Sequence, residues 1–221
     1  MYENLLSLPY FQGMSKKELT AILDKVKFDF TRYKDGDKVL MQEEKCDKFT
    51  ILIQGKLSAE HKSHNNSYSL KEDIDAPYAI EPYSLYGSDT KFSRSYISVG
   101  NCSILSISKS YFYSDFLKHS IFTMNLLNLI SRKVQLQNKL LWSDTPTEIE
   151  GQIAHFIATR SETPSGNKTL KIKMEQLATL IGATRINVSR ALNKLQKEGV
   201  IKLGRGEINI QNFENFLTRI S

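Results

Sequence analysis

The chain has 221 residues, 40% of them apolar and 24% charged, with a formal net charge of +6 and a pI near 9.1. That length supports one or two domains with real cores, and the composition is that of a globular protein. Two cysteines, Cys46 and Cys102, are too few for a disulfide scaffold or a four-thiolate iron–sulfur cluster. The four histidines, His61, His64, His119 and His155, lack metal-ligand spacing, so neither a metal nor a cofactor is expected. No segment approaches the roughly 20 apolar residues of a membrane span. The start, Met1-Tyr2-Glu3-Asn4-Leu5-Leu6, lacks the basic and apolar regions of a secretory signal, so a cytoplasmic location is expected. No glycine-rich phosphate loop or nucleophile elbow is present, which argues against an enzyme and leaves no catalytic residue to name.

Ser15-Lys16-Lys17-Glu18 reads as a capping box opening an amphipathic helix through Leu19, Ile22, Leu23 and Val26. The period then changes to two. Phe28 and Phe30 alternate with polar neighbours, Asp35-Gly36-Asp37 turns the chain, and Val39-Leu40-Met41 and Phe49 to Ile53 are short strands. A turn is expected at Gln54-Gly55, and Lys56 to His61 continues into Ser69-Leu70 across an Asn65-Asn66 tip. Ile97, Val99, Ile104 and Ile107 supply the last strands. Short strands at this spacing indicate an antiparallel barrel or roll. The irregular aromatic stretch from Asp75 to Phe92 reads as wall, with Tyr78, Tyr83 and Tyr86 partly buried.

From Tyr111 to Trp142 there is neither glycine nor proline, and one long helix is expected. Leu127, Ile130, Val134 and Leu141 follow spacings of 3, 4 and 7, close to a heptad seam. Leu126, Leu129, Leu136 and Leu140 widen the stripe. It serves either as an internal core helix or, as favoured here, as a dimer seam. Ser143-Asp144-Thr145-Pro146 breaks the helix. Thr147-Glu148-Ile149-Glu150 then reads as a second capping box, opening a helix with Ile149, Ile153, Phe156 and Ile157 on one face.

The segment from Lys173 to Leu195 has the pattern of a helix-turn-helix. Leu177, Ala178 and Ile181 line one face of a first helix, Gly182 permits the turn, and Thr184 caps a second helix. Val188, Leu192 and Leu195 pack that helix inward. Arg185, Asn187, Ser189, Arg190 and Lys194 are left on its outer face, where they suit base edges and phosphates in a major groove. Glu198-Gly199 stops the helix. Val200 to Leu203 and Ile208 to Ile210 make a two-stranded wing with Arg205 at its tip, and Thr169 to Ile172 is a further short strand. Residues 151–221 hold 11 basic and 5 acidic residues, whereas residues 1–150 are neutral overall. The whole net positive charge thus falls on the segment expected to bind double-stranded DNA.

A roll, a long helix and a winged helix-turn-helix in this order resemble the Crp/Fnr family of bacterial transcription regulators. Lys34-Asp35-Gly36-Asp37 and Leu52-Ile53-Gln54-Gly55-Lys56-Leu57 look like the family's roll turns, and Thr184-Arg185-Ile186-Asn187-Val188-Ser189-Arg190 looks like its recognition helix. The resemblance implies an α+β chain in three parts. Residues 1–110 would form a jelly-roll (double-stranded β-helix) sensor of the cyclic-nucleotide-binding type. Residues 111–142 would be a dimerisation helix, with Leu127, Ile130, Val134 and Leu141 at its interface. Residues 147–221 would be the DNA-binding domain, with Lys173, Thr184, Arg185, Ile186, Asn187, Ser189, Arg190, Lys194 and Arg205 as its DNA contacts. It also implies a homodimer on a pseudo-palindromic operator, with RNA polymerase as a partner.

Two departures stand out. Ile186 occupies the place of the family's base-reading glutamate, and isoleucine meets a thymine methyl rather than cytosine N4. The family's Gly-Glu pair and later Arg-Ser/Thr-Ala motif are matched only by Gly87-Ser88 and Arg94-Ser95-Tyr96. Tyr86, Gly87, Ser88, Arg94 and Ser95 are the candidate effector pocket, Arg94 is expected to be a surface arginine, and tight binding of cyclic AMP is not expected. The competing function is a ligand-binding regulatory subunit that uses the roll without DNA.

Overall fold

The computed structural model describes residues 2–144 and 146–220; Met1, Ser221 and Thr145, the last in the predicted helix break, lie outside them. Internal contacts group the chain into two units, one of residues 1–58 and 74–136, the other of residues 59–73 and 137–221.

The first unit opens with α1 (Tyr2–Leu6), a 3-10 turn at Pro9–Phe11, and α2 (Lys16–Leu23). The capping box forms as the sequence predicts: the Ser15 hydroxyl accepts from the Glu18 N–H, and the Glu18 carboxylate accepts from the Ser15 N–H at 2.7 Å. Donation from the Ser15 N–H, and then from the Ser15 hydroxyl, to its carboxylate holds the Glu18 carboxyl below its ordinary pKa. The strands that follow are β1 (Phe28–Tyr33), β2 (Lys38–Leu40), β3 (Lys48–Lys62), β4 (Tyr68–Asp75), β5 (Tyr78–Ile80) and β6 (Ser95–Ser108), of which residues 59–73 of β3, β4 and their turn belong to the second unit. β1 and β2 both pair antiparallel with β6, and β5 pairs antiparallel with β3.

The turn expected at Gln54-Gly55 does not exist, because β3 runs straight through it. Gly55 has a φ of +92°, and a Cβ there would meet the Asn101 carbonyl and lie 2.8 Å from Cys102 Cα. The glycine serves close packing rather than chain reversal.

The single long helix from residue 111 is also broken. α3 (Lys109–Tyr111) passes into a π turn at Phe112–Phe116, and α4 starts only at Ser120 and ends at Leu141. The Leu117 N–H reaches back to the Phe112 carbonyl, which brings Phe112 and Phe116 inward together. They pack with Phe11, Phe49 and Phe122, with Phe116 and Phe122 centroids 5.2 Å apart. Burying each such ring is worth on the order of 1.5–3 kcal/mol, enough to override helix continuity.

The second unit contains α5 (Ile149–Ala158), β7 (Lys168–Ile172), α6 (Met174–Leu180), α7 (Arg185–Lys197), β8 (Lys202–Gly204), β9 (Glu207–Ile210) and α8 (Phe213–Ile220). Its strands run in the order β4-β7-β9-β8. The capping box at Thr147 is not made: Glu148 is the N-cap and its side chain makes no cap bond. The Glu150 carboxylate instead bonds to Lys194 Nζ at 3.0 Å. The core is built from Ile153, Phe156, Ile157, Leu177, Val188, Leu192, Leu195 and Phe216, all buried.

Candidate nucleic-acid interface

Helices α6 and α7 are joined by a glycine-terminated turn that local chemistry explains in full. The Gly182 N–H bonds to the Thr179 carbonyl and the Ala183 N–H to the Ala178 carbonyl, and Gly182 has a φ of +68°. This pair of bonds, with a left-handed glycine, is the Schellman ending. Thr184, in extended geometry, then accepts from the Asn187 N–H at 3.2 Å and starts α7. α7 ends by the same device at Gly199, whose φ is +71°.

Between these two ends Val188, Ala191, Leu192 and Leu195 turn inward. Arg185, Ile186, Asn187 and Arg190 are exposed, and Ser189 is half-buried. Ile186 is 63% exposed. Leaving an isoleucine so open costs apolar burial, which contact with an apolar groove feature such as a thymine methyl would recover. Arg185 stands 3.9 Å from the Glu175 carboxylate, with both side chains largely exposed, a contact worth little in water.

Lys173, the N-cap residue of α6, is exposed, as is Arg205 in the turn between β8 and β9. The Ile172 N–H donates to the Gly206 carbonyl at 3.0 Å, tying the end of β7 to the wing turn. Lys194, expected among the DNA contacts, is instead paired with Glu150 of α5. The Glu150 carboxylate and its charge hold the Lys194 amine above its ordinary pKa. Partial burial raises the Glu150 carboxyl, but the hydrogen bonds from its own backbone N–H and from Lys194 outweigh that and leave it lowered.

The candidate effector residues differ in exposure. Tyr86, Gly87 and Ser88 lie on an exposed stretch, whereas Arg94 and Ser95 are in the wall at the start of β6. Arg94 is only 8% exposed, so the expectation of a surface arginine is wrong; it donates to Ser93 Oγ at 3.0 Å. Ser95 Oγ accepts from the Gln42 N–H. The residue that the sequence reading missed is Glu81, fully buried, with a φ of +38°. Its carboxylate accepts from the Ser93 N–H at 2.8 Å, the Tyr96 hydroxyl at 2.9 Å and the Ser84 hydroxyl at 3.2 Å. The signal was faint: a lone acidic residue between the apolar Ile80 and Pro82. These three donors take most of the roughly four acceptor positions of the carboxylate and hold it as part of the wall.

The dimer-seam residues lie on α4. Leu127, Val134 and Leu141 are exposed and Ile130 is half-buried. Among the described residues no helix is long and apolar enough to cross a membrane.

The chain is similar to several known proteins. Residues 151–217 match the family model of the Crp-like helix-turn-helix domain. The chain is 23% identical over 227 residues to a CRP-like cAMP-activated global transcriptional regulator of Mycobacterium tuberculosis, covering 99% of both chains. It is 21% identical to the cyclic AMP receptor protein of Thermus thermophilus, covering 92% of each. The crystal structure of the Thermus thermophilus catabolite activator protein shares the fold, with a TM-score of 0.53, 21% identity and coverage of 96% of this chain and 98% of that one.

Proposed function

We propose that this chain, which matches the Crp-like helix-turn-helix model over residues 151–217 and is similar along its length to CRP-like regulators, is a DNA-binding transcription regulator of the Crp/Fnr type that acts in the cytoplasm as a homodimer on a pseudo-palindromic operator. The observation that carries the reading is the outer face of α7, where Arg185, Ile186, Asn187 and Arg190 are exposed together on a helix fixed by caps at both ends. Arg185 and Arg190 would meet guanine edges or phosphates, Asn187 an adenine edge, and Ser189 and Thr184 the backbone. Lys173 and Arg205 would neutralise phosphates on either side. α4 would join two copies through Leu127, Ile130, Val134 and Leu141, setting two α7 helices about one DNA turn apart. RNA polymerase would be the partner at promoters; the role is binding, without catalysis.

The curated Mycobacterium relative carries cAMP activation in its name. Ser88 after Gly87, where the family has a glutamate, supports a different effector here, or none. Selection of binding sites from random duplex DNA at one salt concentration, with and without cyclic AMP, tests both points. A two-fold symmetric consensus indifferent to cyclic AMP is expected. A consensus that needs cyclic AMP would overturn the effector reading, and no consensus in either condition would favour the roll-only regulatory subunit. Ile186→Glu should redirect the selected half-site from a thymine toward a cytosine contact at one base pair; an unchanged half-site would show that Ile186 does not read the groove.

A further inference from the structure

The hairpin of β3 and β4 leads out of the roll sequence, yet its residues 59–73 fold with the DNA-binding unit. β4 pairs antiparallel with β7 in the register Tyr68↔Ile172 to Glu72↔Lys168. The residues of β4 that face inward anchor it. The Tyr68 ring meets Phe156 with centroids 5.3 Å apart, and its hydroxyl accepts from Arg160 Nε at 2.9 Å. Leu70 is in the core, and Glu72 forms a fully buried ion pair with Lys168 while accepting from the Glu162 N–H at 2.7 Å. The strand is thus a fixed part of this unit.

The register decides where its tip goes. Tyr68, the first residue of β4, stands opposite Ile172, the last of β7, so the tip at residues 63–67 projects past the end of β7. At that same end β7 passes into α6, and the Ile172 N–H is bound to Gly206 of the wing turn. The tip is itself ordered: the Ser63 N–H bonds to the Tyr68 carbonyl, the Asn66 N–H to the Ser63 carbonyl, and Asn65 Oδ1 accepts from the Ser67 N–H. Between the tip, the start of α6 and the wing turn lies a cleft of about 840 Å³. Lys62, Lys171 and Lys173 line it together with the amides of Asn65, Asn66 and Gln176, and no carboxylate is in its lining. Glu207, opposite Lys171 in the β7–β9 register, accepts from Asn209 Nδ2.

We propose that the β3–β4 tip is a second wing, and that the cleft behind it holds the phosphodiester backbone of the DNA strand flanking the half-site. This rests on the reading of α7 as the base-reading helix. Three ammonium groups and amide donors, in a lining that itself holds no carboxylate and next to a Glu60 that accepts from the Ser69 hydroxyl, suit phosphate oxygens. The cleft also shares Lys173 and the wing turn with the interface already described.

The test is binding of the full chain to its selected duplex across a salt series, with Lys62→Gln/Lys171→Gln, Lys62→Arg/Lys171→Arg and Arg190→Ala compared. The glutamine pair should lower the slope of log K against log salt by about 1.8, two phosphate contacts at ~0.9 each. It should leave the preferred sequence and the melting temperature unchanged and lose hydroxyl-radical protection outside the half-site. The arginine pair should restore both the slope and the protection. A slope and footprint equal to wild type in the glutamine pair would overturn the second wing while leaving the α7 reading intact. A wild-type chain that selects no duplex would overturn both.

Discussion

On α7, Arg185, Ile186, Asn187 and Arg190 face solvent from a helix whose own backbone needs are met by Thr184 and by the Gly182 and Gly199 turns. In the wall of the roll, Glu81, Arg94 and Tyr96 are buried, and Glu81 takes three hydrogen bonds from its neighbours. Both regions are rich in polar groups of the kind that binds ligands. They differ in where those groups point. Polar groups whose bonding capacity is used inside the protein stabilise the fold, whereas groups held rigid and open are offered to a partner. On the proposed function, recognition falls to the open groups of α7, while the groups around Glu81 are used up in holding the wall.

The sharpest way to break that comparison is to remove the second copy on which the proposed DNA recognition depends. Leu127→Glu/Val134→Glu places charge on the open α4 seam and should convert a dimer to a monomer in sedimentation, with DNA affinity falling about 10²–10⁴-fold as two-site engagement is lost. A variant that stays dimeric would move the interface elsewhere. Next, Glu81→Ala should destabilise the roll by about 1–3 kcal/mol in denaturant titration, since the Tyr96 hydroxyl and Ser93 N–H lose a buried acceptor. The preference for operator over scrambled DNA should survive at temperatures where the roll stays folded. A gain in cyclic AMP affinity in Glu81→Gln would reverse the assignment of this wall as a lock.

The smallest effect concerns Glu150 and Lys194. The Glu150 carboxyl is lowered from its ordinary value of 4.5, so its contribution to stability is present above that pH and is lost as pH falls through the folded-state value. The Lys194 amine is raised, so its share is present below 10.5 and is lost as pH rises through the folded-state value. Glu150→Gln should therefore be slightly less stable than wild type at pH 7 and indistinguishable from it well below pH 4. A difference that persists in acid would mean that the pair contributes through packing rather than charge.

What could be read from sequence was what neighbouring residues decide among themselves. The Ser15 capping box, the Thr184 cap and the Gly182 and Gly199 stops each involve residues within a few positions, and each forms in the structure. The α7 face was equally legible, because one helix period sorts Val188, Leu192 and Leu195 inward and Arg185 and Arg190 outward. Long-range partners hid the rest. Gly55 looked like a turn because its neighbour Cys102 is far away in sequence. Glu150 looked like half of a capping box until Lys194, 44 residues on, claimed its carboxylate. The pairing of β4 with β7 rests on Glu72 and Lys168, 96 residues apart, and no local pattern announces it.

The most direct measurement is the ratio of affinities for the selected operator and for a scrambled duplex, taken at one salt concentration for wild type and for Arg190→Ala. If α7 reads bases, the wild type should prefer its operator by at least about 10³-fold. The substitution should reduce that preference by about 1–3 kcal/mol, with the loss confined to one base pair in each half-site. Equal ratios for the two proteins would contradict the assignment of α7 as the recognition helix.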